Sequence, residues 1–204
     1  FIFSLIFLIK VNSLNKENPS DFLKNWKYFF IWFGITFLLG GFGHLLYNYT
    51  GIYGKIPSWF TGLLSPFYIE RAMISIYPDE EKRIRFYKLS FIKLISFFVI
   101  EIIMLSLFDI AAKPELGLIP PTLSSTLGLV ICLGVLGAYY QGKIHSSFKY
   151  LFYSVFILLF SAIPQALKIN PFQLFDRNDI SHYLLIVSMF LYYQTIKENK
   201  KFIL

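Results

Sequence analysis

Apolar residues in this chain run in blocks of about 20, the length that crosses roughly 30 Å of hydrocarbon at 1.5 Å per residue, with short polar breaks between them. The blocks predict six complete membrane helices, roughly Trp26 to Asn48, Ile56 to Ile76, Leu89 to Ala111, Ile119 to Tyr140, Phe148 to Leu167 and Asp179 to Ile196. A shorter apolar run, Phe1 to Val11, has neither the positive flank nor the small-residue cleavage site of a secretory signal. It reads as the tail of a first helix, giving seven spans in the intact protein. No break is long enough to mark a second domain and no internal repeat is visible, so residues 1–204 are expected to form one transmembrane domain, an all-α polytopic bundle.

Composition agrees with the pattern. The chain is 56% hydrophobic and 15% charged with a mean hydropathy of +0.58, whereas a soluble domain is about 45–50% apolar and about 25% charged. The net charge of +7 would suggest nucleic acid in a soluble protein. Here it sets orientation, because cytoplasmic loops hold the excess of Lys and Arg. One set of alternate loops holds only Lys55, Lys113, Lys168 and Arg177, and the other fifteen of the 19 basic residues, counting the flanks Arg71 and Lys93, lie in the opposite set and the C-terminal tail. The expectation is an integral protein of the cell (inner) membrane, C-terminus cytoplasmic and N-terminus outside, with the lipid bilayer and not nucleic acid as partner. A single Cys132 excludes an internal disulfide and a CxxC metal site. Oligomeric state is not legible.

Ionisable groups inside spans are costly, so each is a candidate site, and depth decides which can meet. His44 should lie about 8 Å and His182 about 5 Å below the outer boundary. His145 falls on the opposite side. Asn48, Asp109, Ser124, Ser125 and Gln165 share the outer level. Asn178, Asp179 and His182 stand at spacings that put a carboxylate beside the imidazole, where the two can co-ligate a metal; Asn and Asp are equally natural helix caps there. Gly40, Gly41 and Gly43 before His44 predict a close backbone approach or a packing notch. Behind Pro66, Glu70 is a candidate proton-transfer group or ligand, while Arg71 is expected to pair with Glu101 on the next helix. Trp26, Trp32 and Trp59 fit an interfacial belt, Asp79 a helix cap after Pro78, and Cys132 an inert buried thiol.

The last span has no lysine between Asp179 and Tyr193, which excludes a retinal protein of the usual sort. In outline, seven helices with histidines in the second and last spans, the chain resembles the superfamily of alkaline ceramidases and adiponectin-receptor-like membrane hydrolases, or else an uncharacterised bacterial seven-helix family of similar outline. The resemblance rests on Gly40 to His44 and Asn178 to His182. It implies a divalent metal such as zinc, with His44 as the early histidine ligand and His182 as one of two late ones. Where the family places a serine and a further histidine, this chain has Gly40 and Ile186. The third ligand would then be a carboxylate such as Asp179 or Asp109, leaving a position for the attacking water. Two functions fit. One is a membrane-embedded, metal-assisted hydrolase of a lipid amide or ester, using His44, His182 and Asp179 for metal and Asp179 and Glu70 for catalysis. The other is a non-enzymatic bundle that binds or transports a lipid or small solute.

Overall fold

The computed structural model describes residues 1–167 and 177–199, with the side chains of residues 162, 164–166, 177 and 178 left aside. The fold is all-α: α1 (Ile2–Glu17), α2 (Asp21–Leu45), α3 (Tyr47–Thr50), α4 (Ile56–Gly62), α5 (Leu64–Ser75), α6 (Glu80–Leu107), α7 (Glu115–Gly128), α8 (Gly137–Lys143), α9 (Lys149–Ala166) and α10 (Arg177–Asn199). Turns of 3-10 helix precede α4 (Gly51–Lys55) and α9 (Ser146–Phe148), and a π-helical stretch, Leu129–Leu136, joins α7 to α8. Three helices among the described residues are long and apolar enough to cross a membrane: Asp21–Leu45, Glu80–Leu107 and Glu115–Lys143. The chain divides into two compact units, Phe1–Leu129 and Val130–Leu204.

In the first unit, α1 and α2 pack through aromatics. Trp26 is fully buried, edge-on to Phe29 at 5.4 Å, and Phe7 stacks on Phe30 at 5.7 Å. Such ring pairs contribute about 0.5–1.5 kcal/mol each beyond their area. The expectation that Trp26 and Trp59 sit in an interfacial belt is therefore corrected: both are buried core residues. Trp59 closes a cluster with Ile52 and Ile110 and lies against Gly117, where any side chain would run into the indole.

The third predicted span is broken. Leu63 separates α4 from α5, and Pro66 falls in the first turn of α5, where its missing N–H leaves the Gly62 carbonyl without its usual partner. Ser65 Oγ donates to that carbonyl at 3.4 Å. Asp79 caps α6 as expected, its carboxylate accepting from the Lys82 N–H at 3.0 Å. Most large apolar side chains of α6, including Phe91, Ile92, Ile95, Val99, Ile102 and Ile103, are exposed and suit a lipid-facing surface. The buried positions Ser90, Leu94 and Glu101 form one stripe against α5 and α7.

The second unit has its own polar clasp. Asn199 Nδ2 donates to Ser147 Oγ at 2.7 Å and Thr195 Oγ to the Ser147 carbonyl at 3.2 Å, tying α10 to the turn before α9. Within that turn, His145 Nδ1 lies 2.8 Å from Ser147 Oγ. Cys132 is buried, as expected.

Candidate functional site: a buried ionic centre between three helices

Glu70 lies on the buried face of α5, one turn after Pro66. Ser90, one turn before Lys93 on α6, donates its hydroxyl to Glu70 Oε2 at 2.6 Å, and Lys93 Nζ pairs with Glu70 Oε1. The same ammonium donates to the Ser124 carbonyl of α7 at 3.1 Å. Gly128 completes the cradle, because a Cβ there would stand 2.6 Å from Glu70 Oε1 and 3.3 Å from Pro66 Cβ. One carboxylate, one ammonium, one hydroxyl and one main-chain carbonyl thus converge where α5, α6 and α7 meet. A paired charge of this kind is far less costly in an apolar interior than a lone one.

Sequence reasoning singled out Glu70 but missed its partners. Lys93 reads from the sequence as an intramembrane flank of a basic loop, inside the span Leu89 to Ala111, and nothing in the sequence pairs it with Glu70. The expected pair between Arg71 and Glu101 does not form. Arg71 lies instead over the rings of Tyr87 at 4.5 Å and Phe67 at 5.5 Å, and adjacent helix positions point in different directions, so it cannot follow Glu70 into the seam. Glu101 is 0% exposed, and neither carboxylate oxygen has a hydrogen-bond partner among the described residues.

The other sequence-predicted polar residues each have their own surroundings. His44 is exposed in the last turn of α2, and Asn48 is exposed in α3. Of the glycines before His44, Gly43 makes the close approach: a Cβ there would stand 2.7 Å from the Gly54 carbonyl oxygen, so the notch receives the following turn. Asp109 is exposed and accepts from the N–H groups of Ala111 and Ala112 at 3.0 and 3.2 Å, turning the chain toward α7. Ser124 is buried and Ser125 half-buried. In the second unit α10 begins at Arg177, two residues before the expected start, so Asp179 lies within the first turn, half-buried, and His182 is exposed one turn on. The side chains of Gln165 and Asn178 lie outside the described residues. Among the described residues, no three His, Cys, Asp or Glu side chains gather as a metal site.

Long apolar helices around a buried polar centre define an integral, multi-pass membrane protein of the helix-bundle class. Within that class, the chain belongs to the family of unknown function DUF6962, whose model matches residues 1–201. No curated protein and no solved structure matches the chain.

Proposed function

We propose that the protein is a non-enzymatic membrane bundle that binds or moves a small charged solute at the Glu70–Lys93 centre. The single observation that carries this reading is the convergence of Glu70, Lys93, Ser90 and the Ser124 carbonyl inside the apolar seam. Intramembrane ionisable groups mark substrate and ion pathways, and this centre offers both signs of charge together with a hydroxyl donor. A lipid tail would need none of these. The basic-residue bias supports a cytoplasmic C-terminus, and one family match across residues 1–201 supports a single membrane domain. The metal-assisted hydrolase has less support, because its ligands His44, His182 and Asp179 do not form part of any three-residue cluster among the described residues.

Two measurements test the proposal. Proteoliposomes on a solid-supported membrane are challenged with concentration jumps of sodium ion, glycine and inorganic phosphate. At least one should give a transient current that Glu70→Gln removes; no current from any of the three, or currents that the variant leaves unchanged, would count against it. Metal analysis of the purified protein should find less than one divalent ion per chain. A stoichiometric ion lost from the His44→Ala, His182→Ala double variant would reinstate the hydrolase.

A further inference from the structure

Glu101 is the group that the ionic centre does not use. It lies eight residues after Lys93 on the buried stripe of α6, about 12 Å further along the axis at 1.5 Å per residue. Its level can be read from its neighbours. Leu105 of α6 and Leu116 of α7 pack on the same Ile52, Trp59 and Ile110 cluster, and the two helices run antiparallel, with Lys93 reaching Ser124. One turn before Leu105, Glu101 therefore stands level with Pro120, one turn after Leu116.

The buried face of α7 at this level is Gly117, Pro120, Pro121 and Ser124. Proline has no N–H, so the carbonyls of Leu116 and Gly117 lose the donors that a continuous helix would give them. The Ser124 hydroxyl is buried and has no hydrogen-bond partner among the described residues. On this face of α7 the prolines thus take away backbone donors that an ionised carboxylate would need, and neither Glu101 oxygen has a hydrogen-bond partner among the described residues.

No described charge compensates it. On α5, Glu70 is engaged with Lys93 and Ser90, and Arg71 lies on Tyr87 and Phe67. On α6 the nearest cation in sequence is Lys93, already committed to Glu70 and Ser124. On α7 the charged residue is Glu115, exposed at the helix start, α4 carries none, and in the 3-10 turn before α4 Lys55 lies over the Tyr47 ring at 5.6 Å. An ionised carboxylate buried without a partner is disfavoured by many kcal/mol, and such a group takes up a proton instead.

We propose that Glu101 is an exchangeable proton-binding site within the membrane bundle. At rest it is the neutral carboxylic acid; when the α6–α7 seam admits water, its O–H bond breaks, the proton leaves to water and the carboxylate remains until it is reprotonated. The assignment stands apart from the solute reading, because it needs only the seam of α6 and α7.

The test is infrared spectroscopy of the full chain reconstituted in phosphatidylcholine vesicles at neutral pH, where exposed carboxylates are ionised. The wild type should show the carbonyl stretch of a protonated carboxylic acid, shifted on exchange into D2O. Glu101→Gln should abolish the band with the helical amide signal unchanged, Glu101→Asp should move it, and Glu70→Gln should leave it in place. A wild type without the band, a band that survives Glu101→Gln, or a band insensitive to D2O overturns the proposal.

Discussion

Two levels of the same seam treat a buried carboxylate in opposite ways. At the Glu70 level, α5, α6 and α7 supply an ammonium, a hydroxyl and a main-chain carbonyl, and Gly128 leaves room for the acid. About two turns further along α6, the facing elements supply proline, glycine and a buried serine, and Glu101 has no hydrogen-bond partner among the described residues. What separates them is the neighbourhood: the same residue type is held as half of an ion pair in one place and as a proton carrier in the other.

The sharpest way to break the contrast is to remove one half of the pair. Lys93→Met leaves Glu70 buried without its cation and should destabilise the bundle by about 3–5 kcal/mol in a detergent unfolding titration. Adding Glu70→Gln to that variant should restore most of the loss, because two neutral groups need no mutual compensation. Next come the glycines that set each level. Gly128→Ala pushes on the Glu70 carboxylate and Gly117→Ala on the Trp59 ring, and each should cost about 1–3 kcal/mol in the same titration. The first should perturb the ion pair and the second should not, so Lys93→Met should lose less in the Gly128→Ala background than in the Gly117→Ala background. Smaller again is Glu101→Gln, within about 1 kcal/mol of the wild type, since a neutral acid is exchanged for a neutral amide of the same shape.

The smallest effect belongs to an exposed carboxylate that serves as the aqueous reference. The Lys82 backbone N–H and the Lys82 side chain hold the Asp79 carboxyl below its ordinary value, so its contribution is present above the unfolded-state value of about 3.9 and is lost as pH falls through the lower folded-state value. The small stability difference between wild type and Asp79→Ala should therefore fade across that acid window, whereas the Lys93→Met deficit should persist at neutral pH and above.

Long apolar blocks made the membrane class readable, and the caps and breaks were legible where one residue decides them, as at Asp79 and Pro66. Its position inside an apolar block put Glu70 among the candidates. Direction around the helix was not readable. An offset of about 100° per residue sends Arg71 to Tyr87 and Phe67 while Glu70 enters the seam, and the flank position of Lys93 hid its inward reach. Tryptophan gave the wrong signal for a similar reason: Trp26 and Trp59 have the amphipathic rings of a belt, yet small neighbours such as Gly117 make pockets for them.

The central claim, that the ionic centre serves a solute and is not merely a clamp, meets its most direct test in the Glu70→Gln, Lys93→Met double variant. Stability and solute current are measured side by side on the same preparation. The account predicts a bundle close to wild type in unfolding midpoint that has lost the current given by sodium, glycine or phosphate. A double variant that is equally stable and still carries the wild-type current would contradict it.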